Sequence, residues 1–410
     1  MSRITGIWKR RLRPGFVTAA GRWFGAGVPA PRAATTIAPL AAAGRCARVS
    51  LERSARRVLP PHEVSGDLAA VAGVRARIDN PLARERYDRL VVGAVPQPAT
   101  DRLVAVLPDG HVAHDAGIVM TAAGELVDDV SGYGFDGDDP TNPLRIGTLP
   151  RPRPAPHTLA VLTTGPHRNY FHWLMDALPR LDLYERAGLA GDHIYAPVRQ
   201  RFQRESLALA GIDPARIVPA TRRTHLASGR LVVSTLHGCI SPAKTDFLHR
   251  RFTARLAPWS GPGGRIFVSR AGRGPRAVVN ERELVAALAP LGFRRCRLER
   301  MSLAEQLTVF HRAECVIGPH GAGLTNLVFC RPGTQVVEIG TPYRPWSCFY
   351  EIAHHRGLDY HLHMASPERV RHFDPGTAVG DSDLRVDARA FRDLVGGLLE
   401  GRGRRRTRAA

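Results

Sequence analysis

The sequence predicts a mixed α/β protein of two Rossmann-like lobes facing a cleft, with a β-rich N-terminal extension. Short apolar strand patterns alternate with amphipathic helical ones on both sides of residue 257, as repeated βαβ units require. Two proline-rich breaks, "LPRPRPAPH" (149–157) and "APWSGPGGR" (257–265), divide the chain where that rhythm starts and restarts. Before the first break the rhythm is absent, and strands and turns take its place. Sheets of this kind bind ligands at the carboxyl ends of their strands, so the cleft between lobes is the expected site.

At 410 residues the chain is long enough for two cores plus extensions. The expected blocks are a basic, disordered segment (1–60), a β-rich region (61–155), two α/β lobes (156–256 and 257–375), and a helix with a basic tail (376–410). "WKRRLRPGF" opens a stretch with no Asp or Glu before Glu52, and Arg22, Pro29, Pro31 and Arg32 interrupt any signal-peptide core. Disorder is the expectation there, with weak peripheral attachment to an anionic membrane as the alternative. No run reaches the ~18 apolar residues of a membrane-spanning helix.

The formal charge of +21 is almost all arginine, the only lysines being Lys9 and Lys244. Without an RRM, helix-turn-helix or zinc-finger pattern, that charge predicts no nucleic-acid partner. The six cysteines form no CxxC framework, Cys315 and Cys330 sit in apolar runs as small core residues, and a reducing, cytoplasmic compartment is expected.

Residues 102–130 read as a hairpin or meander with turns at Pro108-Asp109-Gly110 and Ala123-Gly124. Asp136-Gly137-Asp138 follows in an acidic loop and is better explained as a turn than as a metal-holding DxD. Thereafter "TLAVLTT", "HIYAPV", "RIVPA" and "RLVVST" are strands of the first lobe; "RIFVSR", "RRCRLE", "CVIGP" and "TQVVEIG" are strands of the second.

Three stretches carry chemistry. In "VIGPHGAGLTNLVFCRPGTQVVEI" (316–339) a buried strand runs into Gly321-Ala322-Gly323 and then a helix, where small residues and free N–H groups suit a phosphate. His320 and Asn326 add side-chain donors, and Glu338 at a strand's end can accept ribose hydroxyls or be an ordinary strand-end charge. In "IFVSRAGRGPRAVVNERELVAAL" (266–288) a strand ends at Ser269-Arg270, and Arg273 and Arg276 lie in a Gly-rich loop suited to bidentate phosphate binding, a solvated loop of this arginine-rich chain being the alternative. Asn280 and Glu283 read there as a capping box. In "HRNYFHWLMDALPRL" (167–181) a helix would set Tyr170, Phe171, Trp173, Leu174, Ala177, Leu178 and Leu181 on one face, and His172 and Asp176 on the other, with Pro179 kinking or ending it.

Together these stretches resemble glycosyltransferase family 61, in family order and spacing, across about residues 100–365. The resemblance implies a GT-B-like, inverting enzyme of the kind described in bacteria as capsular polysaccharide biosynthesis proteins. It implies a nucleotide diphosphate-sugar donor lined by Ser269, Arg270, Arg276, His320, Gly321, Ala322, Gly323, Asn326 and Glu338. It places a glycan acceptor near Asn169 and Trp173, with Asp176 as the expected general base and His172 as the alternative. No cofactor is expected, and dependence on a divalent metal stays open. The expected place is the cytoplasm, or the inner face of the plasma membrane. A non-catalytic nucleotide-sugar- or glycan-binding relative is the rival function.

Overall fold

The computed structural model describes residues 28–31, 33–53, 57–91, 95–97, 101–132, 144, 148–235, 240–256, 264–272, 274–344, 346–376 and 379–409. Asp136-Gly137-Asp138, Cys239 and Arg273 lie outside them. The chain is mixed α/β and divides into two compact units, Met1–Arg57 with Gln97–Arg251, and Val58–Pro96 with Phe252–Ala410.

In the first unit, five strands carry the site: β1 (Asp101–Ala113), β2 (Thr158–Val161), β3 (His193–Ala196), β4 (Ile217–Pro219) and β5 (His225–Ser234). They lie in the order β4-β3-β2-β5-β1 within a ten-stranded sheet. β2, β3 and β4 are parallel neighbours, β5 runs parallel to β2, and β1 is antiparallel to β5. Leu103, Leu107, Leu159, Val161, Leu231 and Val233 bury one face as a single core, as alternation along these strands dictates. After β2 come a broken helical segment (Tyr170–Ala177) and α1 (Arg180–Arg186); α2 (Arg201–Leu209) follows β3, and α3 (Pro242–Thr253) follows β5. A reciprocal Gln200–Gln203 capping box starts α2.

The second unit holds β6 (Gly264–Val268), β7 (Phe293–Cys296), β8 (Ala313–Pro319), β9 (Gln335–Gly340) and β10 (Asp359–Met364), with α4 (Glu281–Leu288), α5 (Leu303–His311), α6 (Cys348–His355) and α7 (Ala388–Ala409). The sheet order is β7-β6-β8-β9-β10, extended by the strand Glu63–Gly66, and every pairing is parallel. Its central strands β6, β8 and β9 are largely apolar, as a sheet covered on both faces requires; Phe267, Ile317 and Val337 pack with Leu284, Leu288 and Phe391 of the helices.

Several local expectations change. Pro108-Asp109-Gly110 is no turn: β1 runs through it, pairing Pro108 with Arg230 and Gly110 with Ser228, with Asp109 at φ 48°. Long-range pairing with β5 overrides the local turn preference, whereas Gly124 does turn, at φ 80°. Residues 28–53, expected to be disordered, contribute the strand Ala47–Arg53, paired with β1. Residues 58–96 belong to the second unit and not to a β-rich block with 101–155. Their two helices, with Ile78 between them, bury Val74, Tyr87 and Val91 against Leu362 and Met364. The C-terminal residues expected to be a tail are helical, within α7. Asn280 makes no cap; its amide donates to Glu283 and to the Val386 carbonyl, 2.7 Å. Cys315 and Cys330 are buried core residues, as expected.

Candidate functional site

The second unit's strand order reverses between β6 and β8: the chain goes from β6 outward to β7, then returns to β8 on the other side. Such a switch point opens a crevice at the carboxyl ends of the two strands. A pocket of about 450 Å³ empty volume lies there, lined by Ser269 and Arg270 after β6, Gly321 and Gly323 after β8, and Glu299 after β7. The helical turn Ala322–Phe329 begins at this pocket, so its first N–H groups have no intrahelical acceptor. Gly321 is extended, with φ 172°, and its role is space. A Cβ there would run into the Arg270 guanidinium.

Arg270 is the centre of charge. Its Nε donates to the Pro275 carbonyl at 3.0 Å and its backbone N–H to Glu281 at 3.3 Å, but among the described residues no carboxylate bonds to its guanidinium. Arg276 and Arg344 both bond to one carboxylate, Asp381, at 2.6 and 2.8 Å. Three guanidiniums around one carboxylate leave a net positive charge in a half-buried place. Burial, with Arg276 and Arg344 beside it, pushes Arg270 down to about 10. Arg276 is fixed otherwise: its backbone is left-handed at φ 67°, and its Nε donates to the His320 carbonyl at 3.1 Å. It ties the Gly-rich loop to the turn after β8.

Four other expected donor-site residues are engaged by the protein itself. Glu338 is 1% exposed; its two oxygens accept from His320 Nδ1 and from the Tyr360 hydroxyl, the latter at 2.7 Å. It orients His320 and is not placed to accept ribose hydroxyls. His320 is itself buried against Phe349, ring centroids 4.9 Å apart. Asn326 is fully buried and donates to Gln306 at 2.9 Å, holding the Ala322–Phe329 turn to α5. The Ser269 hydroxyl donates to Glu281 at 2.6 Å, and that buried carboxylate also pairs with Arg295. Ala322 opens the helical turn, and its neighbour Gly323 packs on Leu298 and Val268. Glu299 is the acidic residue that sequence reasoning missed. It follows the second strand of the unit, the place from which a carboxylate reaches a ribose.

In the first unit, the stretch after β2 is no single α-helix. Tyr170–His172 is one α-turn, capped by Asn169 Oδ1 accepting from the Phe171 N–H at 2.9 Å. Trp173–Ala177 then widens into a π-turn in which Leu178 N–H donates to the Trp173 carbonyl, 3.0 Å. Pro179 has no N–H to continue the α ladder, and the helix restarts as α1. Trp173 is fully buried, with Nε1 donating to Ser206 at 2.8 Å; it anchors the segment and offers no face to an acceptor.

His172 and Asp176 do share a face: Nδ1 donates to Oδ2 at 2.8 Å. The other oxygen accepts from Lys244 Nζ of α3 at 3.2 Å. Burial alone would raise the Asp176 carboxyl, but the bonds from His172 and Lys244 outweigh it and hold it below the ordinary carboxylate range. An oxygen pair so occupied is a poor proton acceptor. The same bond leaves His172 Nε2 as the ring's basic atom, on a side chain 35% exposed. Lys244 is the second residue sequence reasoning missed, although one of only two lysines in an arginine-rich chain was a signal.

Among the described residues no group of three His, Cys, Asp or Glu is placed to hold a metal, and no helix is long and apolar enough to cross a membrane.

A parallel sheet with a cationic, glycine-walled pocket at its switch point is the arrangement of nucleotide-binding α/β proteins. Within that class, the family model described as Glycosyltransferase 61 matches residues 170–337 of the chain. The EGF domain-specific O-linked N-acetylglucosamine transferase of Drosophila melanogaster is 29% identical over 153 residues, 35% of this chain and 29% of that protein. Xylan glycosyltransferase MUCI21 of Arabidopsis thaliana is 29% identical over 175 residues, 36% of this chain and 35% of its own. Beta-1,2-xylosyltransferase RCN11 of Oryza sativa subsp. japonica is 44% identical over 61 residues, 15% of this chain and 11% of its own. The chain thus spans about a third or less of these relatives' lengths.

Proposed function

We propose that the protein is an inverting glycosyltransferase that moves a sugar from a nucleotide diphosphate-sugar to a hydroxyl of a glycan acceptor. The observation that carries this reading is the Arg270 guanidinium, unpaired with any described carboxylate, against the Gly321–Gly323 turn at the β6/β8 switch point. A diphosphate supplies the negative charge that the three-arginine cluster lacks, and the N–H groups at the helical start add donors. Glu299 accepts the ribose hydroxyls.

The chemistry is one displacement. The acceptor oxygen bonds to the anomeric carbon as the bond to the diphosphate breaks, which inverts that carbon. The acceptor's proton passes to His172 Nε2, and the nucleoside diphosphate leaves with its charge held by Arg270. Asp176 is a positioning residue here: it keeps the Nδ1 proton in place and Nε2 basic. The base assigned from the sequence moves from Asp176 to its partner for that reason.

The GT-B-like pairing of two lobes, a cytoplasmic site with peripheral attachment to an anionic membrane, and a role in bacterial surface or capsular polysaccharide synthesis belong to the same proposal. They are supported by the family resemblance. The test is a panel of nucleotide diphosphate-sugars assayed for donor hydrolysis and transfer. His172→Ala is expected to abolish transfer while stabilisation by the nucleoside diphosphate persists. Full transfer by His172→Ala overturns the base; no donor turned over by the wild type overturns the enzyme.

A further inference from the structure

A second and larger pocket lies wholly inside the first unit, and the donor has no need of it. About 930 Å³ of space lies between its walls, counting what is open to solvent, enough room for a small ligand. Its walls are the loops leaving three parallel strands at their carboxyl ends: His167 and Arg168 after β2, Pro197 to Gln200 after β3, and Ala220 to Arg223 after β4. That is where a sheet of this topology places a ligand, and the order β4-β3-β2-β5 puts the switch point beside β2.

The charge on those walls has one sign. Arg168, Arg199, Arg222 and Arg223 all line the pocket, against the single carboxylate of Asp115. Asp115 is buried, with a side chain 9% exposed, and Arg168 bonds to it at 2.9 Å, so its charge is spent inside the protein. Among the described residues, Arg199 and Arg222 form no ion pair, although both are exposed at the rim. A neutral sugar makes no use of the Arg199 and Arg222 guanidiniums. A carboxylate or phosphate does, because guanidinium groups bind oxyanions bidentately. The same chain segment carries Arg168 and, one turn later, the proposed base His172.

We infer that this pocket binds the acceptor through an oxyanion, so that the acceptor glycan is acidic, bearing a carboxylate or a phosphate next to the sugar that is extended. The inference rests on the transferase reading and names the substrate class for it. A uronic-acid residue and a sugar phosphate present the same chemistry, and only experiment separates them.

The experiment measures direct binding by calorimetry on the full chain, with no donor present. The probes are trigalacturonic acid, the neutral galactose trimer and glucose 1-phosphate, at low and at physiological salt. Binding of one acidic probe, absent for the neutral trimer, is expected. Arg222→Ala with Arg223→Ala weakens it at least tenfold, while Arg230→Ala, on β5 outside the pocket, leaves it unchanged. Preference for the uronate or for the phosphate identifies the source of the oxyanion. Equal binding of neutral and acidic probes, no binding of either acidic probe, or equal weakening by Arg230→Ala overturns the inference. The failure of the transferase reading looks different. There, a nucleoside diphosphate gives no thermal shift at Arg270, whatever these probes do.

Discussion

Asp176→Asn separates what this carboxylate does for the fold from what it does for transfer. The substitution keeps the side chain's shape but places a neutral amide before Lys244 Nζ, which the native carboxylate meets at 3.2 Å. The two side chains are 15% and 8% exposed, so this is a largely buried pair. Removing one partner of such a pair costs roughly 3–5 kcal/mol, because the remaining charge is left in a poor dielectric. Lys244 has further interactions, which puts the expected loss at the lower end, about 3 kcal/mol. Urea denaturation measures it. Lys244→Met in the same chain removes the stranded ammonium and is expected to restore most of that stability. Transfer behaves otherwise: an amide no longer fixes the His172 Nδ1 proton, and turnover falls about a hundredfold or more. Lys244→Met does not bring it back. Wild-type turnover by Asp176→Asn, or stability and turnover rescued together by Lys244→Met, refutes the division of roles.

Arg270→Ala is expected to weaken nucleoside diphosphate binding by about 1.5–3 kcal/mol, the range for a charge-assisted bond, with little change in melting temperature. Gly321→Ala acts through the same group, displacing the guanidinium, and titration calorimetry is expected to show a comparable loss. Trp173→Phe breaks the bond to Ser206 and costs about 1–2 kcal/mol of stability in denaturation, while the acceptor KM stays constant because the ring is core. Burial holds His114 and His363 each down to about 4. An unfolded histidine takes its proton near pH ~6.5, so between there and about 4 the unfolded chain binds more protons and stability falls as the pH falls. Melting curves across that window check it, and His363→Gln is expected to flatten them.

What the sequence made legible was whatever depends on local pattern: strand and helix alternation after residue 157, the strand-to-turn step at Gly321, and the His172–Asp176 pair at helical spacing. What it hid depends on partners far along the chain. Glu338 looks like a strand-end carboxylate until β10 brings Tyr360 to its side, and Asn326 looks like a site donor until α5 brings Gln306. The Pro108-Asp109-Gly110 turn signal is genuine chemistry overruled by pairing with β5. Residues 58–96 joined the second unit through a parallel pairing with β10 nearly 300 positions away, which no local window reveals. Glu299 and Lys244 were missed for the complementary reason. Each looks ordinary in its own segment and becomes a candidate only through what the fold sets next to it.

The central claim is that the turn at Gly321–Gly323 and Arg270 bind the diphosphate of a sugar donor. Calorimetric titration of the full chain with nucleoside diphosphates tests it most directly. The account predicts saturable binding at one site per chain for at least one base, weakened about tenfold or more in Arg270→Ala and in Gly321→Ala but unchanged in His172→Ala. Absence of binding by every nucleoside diphosphate, or binding left unchanged by both substitutions, contradicts it.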